Sequence, residues 1–201
     1  NMVLNLITLG IKFILKTYFQ KIKILRIKLL TKSKKFRGHI DKLIIEAEDI
    51  IYKDFYFKNA IFEGFNLSIN FSKNRKIFNL NDFQAQTTLY LTSENIKNII
   101  NKNCSDINKE IKEFVVQNLF IRDISFDNQL INFYISNEEE NFKFTYELIF
   151  ENNNLILKKC NSKKYLLIPF DENISFKGLS FNKDYLKLKL KSRVKLETKK
   201  F

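Results

Sequence analysis

The chain has little of what most catalytic and cofactor-binding sites are built from. Its 201 residues contain one histidine, two cysteines, four glycines, one proline and no tryptophan. His39 has no second histidine to share a zinc ion with, and Cys104 and Cys160 lie far apart with no CxxC pair. The dispersed glycines provide neither a phosphate-binding loop nor a dinucleotide fingerprint, and there is no GxSxG motif. We therefore predict that the protein is not an enzyme and carries no cofactor or metal.

The scarcity of glycine and proline also leaves little material for linkers. Apolar residues make up 45% of the chain, and its length suits one hydrophobic core better than two. We predict an N-terminal amphipathic helix over residues 1–22, followed by a single lipid-binding-like α+β domain over residues 23–201.

The predicted N-terminal helix is apolar around most of its circumference. Its polar residues recur every three or four positions and form one narrow stripe: Asn5, Thr8, Lys12, Lys16 and Gln20. Such a helix must be covered, either by the domain's own sheet or by a membrane interface, and the sequence leaves both open. A spanning helix is disfavoured, because it needs ~20 mostly apolar residues and Lys12 and Lys16 interrupt the run.

The same segment lacks the features of a signal peptide. No basic residue precedes the apolar run, and no small-residue cleavage site follows it. We therefore expect a peripheral membrane protein on the cytoplasmic side.

The rest of the chain mostly alternates apolar and polar residues, which is typical of strands. This pattern covers residues 24–30, 40–71, 83–91 and 131–157, and it returns at 186–196. Gly64 suggests a bulge or sharp curvature. Two short helices are expected between residues 93 and 116, the first capped by Thr92 or Ser93. Short turns between the strands predict an antiparallel meander.

The net charge of +13 is concentrated at the two ends of the chain. Residues 1–40 contain ten Lys or Arg and no acid, and residues 177–201 contain nine against two acids. The middle is slightly acidic. The basic ends could meet an anionic membrane, or they could simply form a solvated surface.

Two stretches of the sequence resemble a known family. The first begins with Arg37-Gly38-His39-Ile40 and alternates as far as Phe71; the second is the helix start Leu91-Thr92-Ser93-Glu94-Asn95-Ile96. Together they resemble the DUF2993 family, the LmeA-like phospholipid-binding proteins, in the form common in cyanobacteria. The resemblance covers about Ile11 to Glu197. It implies a tubular lipid-binding-like fold: a long, curved, mostly antiparallel sheet that wraps one or two helices and encloses an apolar groove.

We accordingly predict non-catalytic binding of a phospholipid or a similar amphiphile, with peripheral membrane association. Acyl chains would contact the inward-facing residues Phe65, Leu67, Ile69, Leu89, Ile99, Ile100 and Phe144. Head groups of an anionic membrane would contact Lys12, Lys16, Lys21, Lys23, Arg26 and Lys28.

Two other functions compete with this one. The basic terminal strands could bind nucleic acid, although the polar face of residues 187–195 contains only Lys and Arg and no aromatic platform, which disfavours this partner. The N-terminal helix could instead hold a protein partner, as in a membrane-associated scaffold. The sequence does not indicate an oligomeric state.

Overall fold

The structure, a computed structural model, describes residues 2–32, 38–52, 55–72, 77–80, 82–101, 106–117, 119–137, 140–152, 154–168 and 174–194. Three helices lie in them: α1 (Met2–Tyr18), α2 (Ser93–Asn101) and α3 (Asp106–Val116). The strands are β1 (Lys21–Leu30), β2 (His39–Tyr52), β3 (Phe55–Ser72), β4 (Ile77–Leu80), β5 (Phe83–Thr92), β6 (Phe120–Asp127), β7 (Leu130–Ser136), β8 (Asn141–Glu151), β9 (Asn154–Lys159), β10 (Tyr165–Ile168), β11 (Ile174–Phe181) and β12 (Tyr185–Val194).

The predicted antiparallel α+β architecture is confirmed, with the strands divided between two sheets. The first sheet has the order β1-β2-β3-β5-β12-β11, with β4 paired to β3. The second is the meander β10-β9-β8-β7-β6. Every pairing is antiparallel.

The first sheet has an apolar inner face and a polar outer face. On β1 the inner side chains are Leu25, Ile27 and Leu29, and the outer ones include Arg26 and Lys28. Two groups of buried side chains cover the inner face at different ends. One group lies between the sheet, α2, α3 and the second sheet; the other lies under α1. The alternation in the sequence therefore identified the buried side of most strands.

The N-terminal helix is shorter than predicted. Its last backbone hydrogen bond runs from Phe19 N–H to the Leu15 carbonyl, and the next residue, Gln20, already donates to Ile51 on β2 at 2.9 Å. Lys21 and Ile22 belong to β1 and not to the helix. The reason is the change of period, because lysine and isoleucine alternate from Lys21 onward and only a strand places such residues on two faces.

Gly64 is not at a bulge, which was one of the two alternatives that the sequence suggested for it. The register runs unbroken through it, opposite Leu43 on β2 and Ala85 on β5. The glycine is needed for space, since a Cβ there would lie 3.0 Å from the Phe83 ring and 3.3 Å from Leu67. The ring fills the volume that a side chain would otherwise take.

The helix start at Thr92 is confirmed, and it includes a buried polar contact. Thr92 Oγ1 accepts a hydrogen bond from Asn95 N–H at 3.2 Å, which caps α2. In return Asn95 Oδ1 accepts from Thr92 N–H at 3.0 Å and from Lys58 N–H of β3 at 3.3 Å. Asn95 is fully buried, so one amide ties the helix to two strands.

Cys104 lies outside the described residues, and so do the last two positions of the strand predicted over residues 186–196. Cys160 is a half-buried free thiol.

Candidate membrane-binding site

The inner side of α1 packs on the first sheet. Ile7 and Ile11, one turn apart, contact the buried group formed by β2, β3 and β5. Ile27 and Leu29 of β1 border the same group. The sheet therefore covers this side of the helix, which is one of the two partners that the sequence left open.

The opposite side of α1 is also apolar, and it is exposed. Val3, Leu6, Leu9 and Phe13 follow one another at intervals of three and four residues and so lie along one side of the helix. Their exposed fractions are 43%, 60%, 61% and 74%. We call these four residues the α1 row. A contiguous apolar strip of this kind on a surface helix is typical of an interaction surface.

Two lysines border the α1 row. Lys12 and Lys16 lie one turn apart, Lys16 exposed and Lys12 half-buried. Within the described part of the chain neither forms an ion pair. Both charges therefore remain available beside the apolar strip. Among the helices that the structure describes, none is long and apolar enough to cross a membrane.

Two of the other predicted head-group residues, Arg26 and Lys28, do not share this surface. Lys21, Lys23, Arg26 and Lys28 all lie on β1. Arg26 and Lys28 point to the outer face of the sheet, away from α1, because they alternate with Ile27 and Leu29. They are therefore not part of one head-group surface with Lys12 and Lys16, and this part of the prediction is corrected.

Two of these strand residues already have acidic partners on β2. Arg26 lies 3.2 Å from Glu48 and 3.8 Å from Glu46, and Lys23 lies 3.5 Å from Asp49. These pairs compensate much of the positive charge of β1.

The predicted acyl-chain residues are split between two buried groups and one outward position. Leu67 and Ile69 belong to the group under α1, whereas Leu89, Ile99, Ile100 and Phe144 belong to the group between the sheets. Phe65 pairs with Lys42 and Gln84 on the outer face, with the Lys42 ammonium 5.4 Å from its ring. The outward placement of Phe65 corrects the prediction, and the seven residues do not line one common groove.

Two surface hollows occur elsewhere among the described residues. One, of about 430 Å³, is formed by the turns after β6 and β11. The other, of about 380 Å³, lies beside Tyr134 and Phe142. Neither is lined by any of the seven predicted acyl-chain residues. The α1 row therefore remains the candidate site.

Three titratable side chains, Asp49, Tyr56 and Lys58, form a hydrogen-bonded cluster. Asp49 accepts hydrogen bonds from the Tyr56 hydroxyl at 2.6 Å and the Lys58 ammonium at 2.9 Å. Those bonds, Tyr56 first, lower the pKa of Asp49 to about 2. The bond to Asp49 in turn raises the pKa of Tyr56 and that of Lys58. At neutral pH Asp49 therefore stays ionised, Tyr56 neutral and Lys58 protonated. A general acid or base works best with a pKa near the working pH, and these shifts move each pKa away from it.

The single histidine lies at the start of β2. Its Nε2 is 3.7 Å from Asp41 and its side chain is about half exposed. No group of three or more metal-ligating side chains occurs among the residues that the structure describes.

Sequence reasoning did not single out the α1 row. The signal was present, since a helix that is apolar nearly all round has a second apolar face once the first is buried. What the sequence could not show is which face the sheet would take. Comparison with family models, with curated proteins and with solved structures gives no match for this chain.

Proposed function

We propose that the protein is a non-catalytic peripheral membrane protein that binds anionic phospholipid through the α1 row. The observation that carries the proposal is the exposure of Leu6, Leu9 and Phe13 on a helix whose other side is already packed. Residues 1–40 contain no acid, so nothing near the row in sequence would repel an anionic surface.

The energetics suit reversible docking. Full burial of a Leu or Phe side chain contributes about 1.5–3 kcal/mol, so the exposed parts of Leu6, Leu9 and Phe13 would contribute roughly 1–2 kcal/mol each on insertion. Lys12 and Lys16 would add ~1 kcal/mol each near an anionic leaflet. The total is about 5–8 kcal/mol, and α1 is folded beforehand, so no helix has to form on the membrane.

In this proposal the α1 row contacts lipid at the surface of the bilayer, and the protein does not enclose a lipid in a groove. An enclosed acyl-chain groove would need the predicted apolar residues on one surface, and they are divided between two buried groups. The exposed row needs no opening of the core. This arrangement favours interfacial insertion to a depth of about 5–10 Å.

The absence of tryptophan from the sequence provides a direct test. Phe13→Trp would introduce the only tryptophan of the chain at the most exposed position of the row. We expect a blue-shifted emission with vesicles of phosphatidylcholine and phosphatidylserine, and quenching by brominated lipid, because the ring enters the acyl region. If the Phe13→Trp protein sedimented with the vesicles but its tryptophan emission did not change, insertion through this row would be contradicted.

A matched pair of variants tests the energetics. Leu6→Ser/Leu9→Ser/Phe13→Ser should lower partitioning into these vesicles at least about 100-fold. The control Tyr165→Ser/Leu167→Ser removes comparably exposed apolar side chains from β10 and should change partitioning less than about twofold. Circular dichroism would establish that both variants are folded. Equal losses in the two variants would overturn the assignment.

A further inference from the structure

A second surface lies on the outer face of the first sheet, along β12. Lys187, Lys189, Lys191 and Arg193 occupy alternate positions of this strand, and we call them the β12 row. Alternate residues of a strand are ~6.8 Å apart, so the row is a straight line of evenly spaced cations. Such a line is comparable in repeat to the phosphates of an extended single strand.

The neighbours of the β12 row leave its charge uncompensated. Its partners on β5 are all neutral: Tyr90, Thr88, Gln86 and Gln84. On β11 it faces Ser180, Gly178 and Ser175. Arg193 lies 3.5 Å from Asp82, but Lys187, Lys189 and Lys191 form no ion pair within the described ranges. The row thus differs from β1, whose Arg26 lies beside Glu46 and Glu48 of β2.

An aromatic side chain stands at one end of this row, supplied by the adjacent strand. The Lys187 ammonium lies 5.4 Å from the centre of the Tyr90 ring. Tyr185 meets the same ring edge-on, at 5.3 Å and 73°. Both rings are half-buried and therefore partly accessible. Residues 187–195 alone showed no aromatic platform; Tyr90 of the paired strand β5 and Tyr185, just before this stretch, provide one.

Apolar anchors are missing from this face. Of the exposed large apolar side chains that the structure describes, none belongs to β5, β11 or β12. The outer face also points away from α1, which packs on the inner face. A bilayer docked on the α1 row would therefore leave the β12 row in water. These features favour a water-soluble polyanion over a second membrane.

We propose that the β12 row, with Tyr90 and the amides of Gln84 and Gln86, binds single-stranded nucleic acid. The cations would follow the phosphates, Tyr90 would stack on a base, and the two amides would hydrogen-bond sugars or base edges. Recognition of this kind is weakly selective for sequence, because stacking and phosphate contacts accept any base.

The test uses a fluorescent twelve-nucleotide oligo-dT and fluorescence anisotropy at several salt concentrations. Lys187→Gln/Lys189→Gln/Lys191→Gln should weaken binding at least tenfold at low salt. It should also flatten the dependence of log K on log salt by about 2, since each lost phosphate contact on a single strand contributes ~0.7. The charge-matched control is Lys158→Gln/Lys163→Gln/Lys164→Gln, on three exposed lysines of β9 and of the turn between β9 and β10. It should shift affinity less than twofold.

Tyr90 variants separate a stacking site from a purely electrostatic one. Tyr90→Leu should weaken oligo-dT binding roughly fivefold or more, and Tyr90→Phe should retain the affinity of the unmodified protein. Equal losses in the two lysine triples would show attraction by net charge alone and would overturn the proposal. The proposal would also be overturned if Lys187→Gln/Lys189→Gln/Lys191→Gln lost vesicle binding and kept oligonucleotide binding. Leu6→Ser/Leu9→Ser/Phe13→Ser should bind the oligonucleotide normally, which keeps this test independent of membrane docking.

Discussion

Asn95 offers the sharpest test of how the helix pair is attached to the sheet. Its side-chain oxygen accepts hydrogen bonds from two backbone N–H groups, those of Thr92 and Lys58, and the residue has no exposed surface. Asn95→Ala removes the one oxygen that accepts both bonds and leaves two partly buried backbone donors without this acceptor. A buried donor without a partner costs about 1–3 kcal/mol. We therefore expect the free energy of unfolding to fall by about 2–4 kcal/mol.

Chemical denaturation followed by circular dichroism would measure this loss. In a chain of this length each 1 kcal/mol corresponds to about 2–4 °C, so the melting temperature should drop by roughly 4–16 °C. The control is Asn98→Ala, one turn further along α2, whose amide makes an exposed contact with Glu94. It should change stability by less than about 0.5 kcal/mol. Similar stabilities for the two variants would refute the role assigned to the buried amide.

The shifted pKa values of Tyr146 and Asp49 predict opposite responses of stability to pH. Burial raises the pKa of Tyr146 to about 12 in the folded protein, so stability should fall as the pH rises from about 10, where the unfolded tyrosine ionises, towards 12. Tyr146→Phe should reduce this alkaline loss in pH-dependent denaturation, although it loses the hydroxyl's bonds to two α3 carbonyls. The pKa of Asp49 is lowered, chiefly by Tyr56, so its contribution to stability is present above about pH 4 and is lost as the pH falls towards 2. Asp49→Asn should remove that acid-dependent part; an unchanged acid profile would show that the hydrogen bonds do not stabilise the fold.

The sequence predicted the elements with strong periodicity and did not predict β4, β6, β10 and β11 as individual strands. The long strands β2, β3 and β12 fall within predicted alternating runs, because an apolar residue at every second position indicates a strand with one buried face. The four-residue strands β4 and β10 were not predicted individually. A strand that short has only one or two inward positions, and pairing with a neighbour decides whether it forms at all.

The candidate site was predictable in part. The sequence identified α1 as unusually apolar and named Lys12 and Lys16 beside it. It could not show that Ile7 and Ile11 would face the sheet, which is what leaves Leu6 and Phe13 exposed. Choosing between two apolar faces of one helix depends on its fit to a surface built from distant strands, and that is a tertiary property.

The division of the first sheet into two charge environments follows from register and not from composition. Both strands have cations on their outer faces: Arg26 and Lys28 on β1, and the four residues of the β12 row on β12. β1 pairs with β2, where Glu46 and Glu48 occupy the outward positions opposite its own. β12 pairs with β5, whose outward positions hold amides, a threonine and Tyr90. Because directly opposed side chains interact at about 5 Å and distant ones are screened in salt, the partner strand decides whether a row of lysines is neutralised. Arg26 of β1 is therefore neutralised by Glu46 and Glu48, whereas Lys187, Lys189 and Lys191 of β12 meet no acid on β5.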